Sequence, residues 1–181
     1  LFNLNGQLGP SFMEQGTVSL CSQANKITGE VTNQLTFRRP KPCTVFFVAE
    51  FSRPVQKIER DASTGNYLIH FNSGNSEPLM AKVAISFTSI ANAQINLDEE
   101  LPGWNFDEIV ADSQKEWNGL LSRIEIEGGT HEQQQRFYTD LWHALQGRRT
   151  ISDVNGAYPD NMKEHFRIGQ IPLDDKGKPF F

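Results

Sequence analysis

The run Ser152-Asp153-Val154-Asn155-Gly156-Ala157-Tyr158 is the part of the sequence best equipped for chemistry. It sets two short, carbonyl-bearing side chains two positions apart, follows them with a glycine that permits close backbone approach, and adds an aromatic ring. Such a set binds hydroxyls or a hard cation through oxygen. It is equally the composition of a plain turn, and its Asp–Asn spacing falls short of an EF-hand loop. Elsewhere, Asp140 and His143 lie three positions apart, and so on one side of a predicted helix, where a carboxylate can orient an imidazole for acid–base work. No nucleophile or second ligand accompanies them, so a structural or surface histidine is the better reading.

The remaining acids have ordinary explanations. Asp98, Glu99 and Glu100 are consecutive at a predicted helix end and point in different directions, as a solvated face does. Asp107, Glu108 and Asp112 fall in the first turns of the next helix, where negative charge favours the dipole. Glu125 and Glu127 alternate in an extended connector and read as solvent-facing. Trp104, Trp117 and Trp142 offer rings for stacking on sugar faces. Trp117 and Trp142 fall on apolar helical stripes and read as core, which leaves Trp104, in a Pro-Gly-Trp-Asn turn, as the ambiguous one.

What must position these groups follows from composition and pattern. The chain has 181 residues, 38% of them hydrophobic, enough for a sizeable core. A net charge of −5 and a pI near 5.4 argue against nucleic acid. No run approaches the ~18 apolar residues of a membrane span. The opening residues lack the regions of a signal peptide and an initiator Met, so the start reads as a cut or processed end. Cys21 and Cys43 leave two readings open, a disulfide or two unrelated small residues, with the second favoured. The cysteines and the scattered His70, His131, His143 and His165 form no zinc spacing.

From about Thr17 to Phe87 the pattern is that of strands: TVSL, KITGEVT, QLTFR, CTVFFVAEF, VQKIER, YLIHF and LMAKVAISF, separated by turn clusters at 39–42, 61–65 and 72–75. Such spacing predicts an antiparallel sandwich or barrel. Near residue 88 the period changes. Ser89, Asn105 and Thr130 are expected to cap three helices, the last through a Thr-x-x-Gln capping box, with Gly147 as its C-cap. After Arg149 the sequence reads as loop. It closes on Pro179-Phe180-Phe181, aromatic residues with nothing after them to bury, as an internal piece of a larger protein would.

The ordered series from Lys82 onward resembles glycoside hydrolase family 92. It comprises the S-F-T-S-I-x-x-A-x-x-N-L-like passage (Ser86 to Leu97), P-G-W-x-F-D at 102–107, W-N-x-x-L-x-x-I-x-I-E-G-G from Trp117, F-Y-T-x-L-W-H from Phe137 and S-D-V-N-G-x-Y from Ser152. Earlier, VFFVAEFSRP resembles a late sandwich strand of that family. The resemblance implies an α+β multidomain protein. Residues 1–88 would be part of an antiparallel β-sandwich, 89–129 a helical linker, and 130–181 the first part of an (α/α)6 barrel. It implies a calcium-dependent, inverting exo-α-mannosidase, secreted, periplasmic or at the cell surface, acting on mannose-containing glycans such as N-glycans. It also implies that the catalytic acid and base, and most calcium ligands, lie beyond Phe181, so no catalytic or metal-binding residue is assigned within the chain. Asp153, Asn155, Tyr158 and Trp104 are the substrate-binding candidates it leaves. Asn155 stands where the family more often has Asp, and Ala157 where a bulkier residue is usual, which weighs against a metal role.

Two other classes remain as alternatives: a non-catalytic carbohydrate-binding sandwich, and an interaction module whose helices dock on a partner. Exposed aromatics on a concave sheet face would favour the first. Helices with bare apolar stripes would favour a piece of an enzyme.

Overall fold

The computed structural model describes residues 1–37, 39–72, 77–146, 150–160 and 167–179. Strands β1 (Gly6–Leu8), β2 (Ser11–Leu20), β3 (Lys26–Asn33), β4 (Cys43–Phe51) and β7 (Ala81–Ser86) form an antiparallel sheet in the order β1-β2-β3-β4-β7. β5 (Val55–Arg60) and β6 (Tyr67–Phe71) pair separately as a ribbon. Three helices follow, α1 (Ile90–Glu100), α2 (Phe106–Leu121) and α3 (His131–Leu145). The fold class is α+β.

The centre of the fold is β4, whose near-continuous apolar run is explained by cover on both faces. Phe47, Ala49 and Phe51 point toward the ribbon and pack with Leu4, Ile27, Val31 and Val55. Phe51 meets Phe71 edge-on at 4.9 Å between ring centroids, and Phe2 stacks on Phe47 at 5.6 Å. Val48 faces the other way and packs with Ala84, Ala93 and Leu97, seating α1 on the sheet. Lys26 Nζ donates to Gln94 Oε1 at 2.9 Å and Lys82 Nζ to the Leu101 carbonyl at 3.0 Å, tying the middle and the C-terminal end of the same helix to β3 and β7.

The register settles the cysteine question. Cys21 bonds backbone-to-backbone with Lys26 at one end of β3, and Cys43 pairs with Asn33 at the other. A strand of that length separates them by roughly 23 Å at ~3.3 Å per residue, far beyond the ~7 Å that a disulfide spans. Both thiols are free.

Helix starts match the expected caps. Ser89 Oγ accepts from Asn92 N at 3.0 Å, Asn105 Oδ1 from Glu108 N at 3.3 Å, and the Thr130/Gln133 capping box is complete. Gly147, the Phe180–Phe181 end and most of the 72–75 turn lie outside the described residues. Of QLTFR, residues 34–37 form no strand: Thr36 bridges instead to Arg39, since Pro40 just beyond cannot donate to a ladder, and Arg38 lies outside the described residues. The expected loop after Arg149 contains a hairpin, β8 (Ala157–Asp160) and β9 (Arg167–Gln170). Four-residue strands carrying Pro159 and Gly169 are too short and too irregular for their alternation to register in the sequence.

The chain divides into two compact units, one of Leu1–Pro102 with Ile151–Phe181 and one of Gly103–Thr150. In the second, α2 and α3 contain no buried residue. Trp117 and Trp142 pack edge-on at 6.0 Å, while Phe106, Ile109, Val110, Ile124 and Leu145 stay exposed.

Gly29 sits between strands so closely that a Cβ there would lie 2.1 Å from the Thr17 carbonyl oxygen and 2.5 Å from the Phe47 ring. Gly29→Ala should therefore cost about 1–3 kcal/mol by overpacking, read from urea unfolding. In the β5–β6 turn, Asp61 accepts from the Ser63 hydroxyl and backbone N–H and from the Thr64 hydroxyl. These bonds, that of the Ser63 hydroxyl first, pull its pKa from 3.8 to about 2. A depressed carboxylate contributes stability that is full above its unfolded value and lost as pH falls through about 2. Carboxyl-carbon NMR should place the Asp61 midpoint there, and Ser63→Ala should move it back toward the ordinary value.

Candidate functional site

Asp153 is 2% exposed, which a carboxylate tolerates only if its oxygens are filled. Its backbone closes a tight turn: Gly156 N donates to the Asp153 carbonyl and Asp153 N to the Ala157 carbonyl, both at 2.8 Å. Gly156 is required there, with φ at +83° and with Gln170 Nε2 only 2.6 Å from where a Cβ would stand.

The partners of the carboxylate come from the end of β7 and from α1. Ser86 Oγ donates to Oδ2 at 3.0 Å, Thr88 Oγ1 to Oδ2 at 2.5 Å, and Asn96 Nδ2 to Oδ1 at 2.8 Å. Asn96, 7% exposed, also donates to the Ile85 carbonyl and accepts from Val154 N at 2.9 Å. One turn earlier on the same side of α1, Asn92 Nδ2 donates to Thr88 Oγ1 at 2.7 Å and Asn92 Oδ1 accepts from Asn155 Nδ2 at 3.0 Å. Asn155 Oδ1 accepts from Ala157 N at 3.0 Å.

Beside this turn opens a cleft of about 560 Å³ lined by Ile95, Glu99, Glu100, Val154, Asn155 and the 177–179 segment. Asp174 braces its far wall by accepting from the backbone N–H groups of Lys176 and Lys178. The walls thus combine apolar surface from Ile95, Val154 and Pro179 with carboxylates, an ammonium and one fixed amide. That mixture suits a small, neutral, hydroxyl-bearing ligand.

Residues 92–171 match the glycosyl hydrolase family 92 catalytic domain. Solved family 92 structures share the fold of this chain. A family 92 alpha-mannosidase from Bacteroides thetaiotaomicron matches with a TM-score of 0.72 at 20% identity, covering 90% of this chain and 23% of that one. An inverting mannosidase of family 92 from the same organism matches with a TM-score of 0.67 at 21% identity, covering 87% and 24%. A family 92 glycosyl hydrolase named ccman5 gives 0.65 at 20% identity, covering 82% and 21%. The chain thus spans about a quarter of the length of the family 92 structures it matches. No curated protein sequence matches it.

Of the substrate-binding candidates, the structure brings Asp153, Asn155 and Tyr158 together in one unit, and Trp104 belongs to the other. Asp153 is inside, Asn155 lines the cleft, and the half-buried Tyr158 ring lies across Gly169 of the paired strand. Asp140 lies 4.0 Å from Arg136 Nε, and His143 packs on Trp142. Asp98 accepts from Gln94, while Glu99 and Glu100 reach the cleft. Trp117 and Trp142 are half-buried against each other.

Calcium, which the family resemblance implies, finds no fitting donor set: both Asp153 oxygens are occupied by protein donors, and no group of three or more His, Cys, Asp or Glu gathers among the described residues. Sequence reasoning overlooked Ser86, Thr88, Asn92 and Asn96. The available signal was Asn96, a polar residue set on the buried stripe of α1 between Ala93 and Leu97.

Asp153→Ala would strand three buried donors at once, so the chain should lose about 2–5 kcal/mol in chemical denaturation. Tyr158→Phe, with the ring retained, should stay within about 0.5 kcal/mol of the parent.

Proposed function

We propose that this chain is part of a secreted glycoside hydrolase that removes terminal α-linked mannose from glycans by an inverting, calcium-assisted mechanism. The observation that carries the proposal is the family 92 catalytic-domain match over residues 92–171. Two of the similar structures are named as mannosidases, one of them inverting. In the same reading residues 1–88 are most of a β-sandwich, 89–129 the helical linker, and 130–181 the opening of an (α/α)6 barrel.

Inversion needs an acid and a base separated by roughly 6.5–9.5 Å, so that a water fits between base and anomeric carbon. We assign neither to this chain. Both, and most of the calcium ligands, belong on this reading to polypeptide outside it. The share of this chain is binding and support. Asn155 offers an amide to hydroxyls in the cleft, Asp153 holds the turn that carries it, and Tyr158 supplies aromatic surface for substrate.

The bare apolar stripes of α2 and α3 support a piece of an enzyme over a self-sufficient binding sandwich. Two helices without a buried residue are not a finished core.

The test compares the whole protein with the 181-residue chain on α-mannosides, with calcium and with chelator. The whole protein should release mannose of inverted anomeric configuration, seen by proton NMR immediately after cleavage, and chelator should abolish release. The chain alone should be inactive. Hydrolysis by the chain alone would refute the placement of the catalytic carboxyls, and a whole protein inert on every α-mannoside would refute the activity.

A further inference from the structure

The hydrogen bonds around Asp153 have a direction, and that direction reaches the cleft. Both oxygens of the carboxylate only accept. Thr88 has one hydroxyl proton, and its 2.5 Å contact commits that proton to Asp153 Oδ2. The Thr88 oxygen must then accept from its neighbour Asn92, 2.7 Å away, so Asn92 turns Nδ2 inward and Oδ1 outward. Outward, Asn92 Oδ1 meets the side chain of residue 155 at 3.0 Å and requires a donor there. Two backbone N–H groups, which cannot reverse, agree with this assignment. Ala157 N identifies Asn155 Oδ1 as the acceptor, and Val154 N identifies Asn96 Oδ1, leaving Asn96 Nδ2 for the carboxylate.

We propose that Asp153, acting through Thr88 and Asn92, is a positioning residue that, together with the Ala157 N–H, fixes which hydrogen-bonding face Asn155 presents to the cleft. After its two internal bonds the Asn155 amide keeps one N–H and one acceptor lone pair. That face matches a hydroxyl pair in which one member accepts and the other donates, and its N–H disfavours a cation. The ligand half of this inference rests on the sugar-binding reading above; the relay does not.

The relay predicts coupling between two side chains that share it at a distance. Asn155→Asp sets acceptor against acceptor at Asn92 and should lower the Tm of the 181-residue chain by roughly 3–10 °C. In an Asp153→Asn background the chain of donors can reverse. The amide at 153 donates to Thr88, Thr88 to Asn92, and a flipped Asn92 to the carboxylate at 155. Adding Asn155→Asp to Asp153→Asn should therefore cost less than half of what it costs the parent. Cutting the relay with Asn92→Ala, or with Thr88→Val should the first fail to fold, should erase this coupling. Additive losses, or a parent-like Tm for Asn155→Asp alone, would overturn the relay.

Methyl α-D-mannopyranoside, titrated while the Asn155 side-chain amide signals are followed by NMR, tests the ligand half separately. Saturable shifts in the parent, absent from Asp153→Asn/Asn155→Asp although that variant is folded, support it. A parent whose Asn155 signals do not move overturns the hydroxyl-binding role of the cleft and leaves the relay to the stability cycle.

Discussion

A carboxylate removed from water fixes everything that must touch it. Among the described residues, the hydrogen-bond partners of Asp153 are neutral donors at the end of β7 and on α1. Satisfying it demands that three segments distant in sequence arrive in register: the β7–α1 junction, the face of α1 that carries Asn92 and Asn96, and the turn at 153–156. The chain leaves this unit at Pro102 and rejoins it at Ile151. Closing so long an excursion costs conformational entropy that grows only slowly with its length, so a modest set of well-made bonds offsets it. The apolar contact of Val48 and Ala84 with Ala93 and Leu97 seats α1 on the sheet, and the polar contacts decide where the returning chain docks on α1.

The helical hairpin shows the opposite economy. Its caps are complete, acids occupy the first turn of α2, and each helix carries an apolar stripe, so the local signals for helix are strong. Yet neither helix buries a residue, and Trp117 and Trp142 meet edge-on while still half-exposed. Helices are stabilised in proteins chiefly by packing of an amphipathic face. Stripes such as Phe106-Ile109-Val110 are therefore written for more neighbours than α2 and α3 provide each other.

How much of this was legible in the sequence depends on whether a signal is periodic or particular. The alternation of CTVFFVAEF, the Ser89, Asn105 and Thr130 caps and the period change near residue 88 are repeated local rules, and the structure obeys them. β8 and β9 are too short for alternation to emerge, and their pairing is held by the Tyr158 ring over Gly169, a cross-strand relation that no local window contains. The 152–158 segment was recognisable as chemically equipped, but its parts could not be sorted. Asp and Asn two positions apart look alike in sequence, whereas in the fold Asp153 turns inward to Ser86 and Thr88 and Asn155 turns to Asn92 and the cleft.

The sorting of those two residues explains why a buried acid and an amide sit side by side. Recognition of hydroxyls is sensitive to which atom donates, and an amide free to flip presents both arrangements. A backbone N–H fixes one end of such an amide, and a carboxylate that can only accept fixes the other through intermediates with a single mobile proton. The same logic explains why Thr88 and Asn92 belong to the site although neither lines the cleft. Their contribution is to transmit a constraint, and a group that transmits constraint has to be as well packed and as fully bonded as the group it serves. On the proposed reading, the carboxylates that would cleave a glycosidic bond lie outside the chain, and this carboxylate does its work by being unavailable for chemistry.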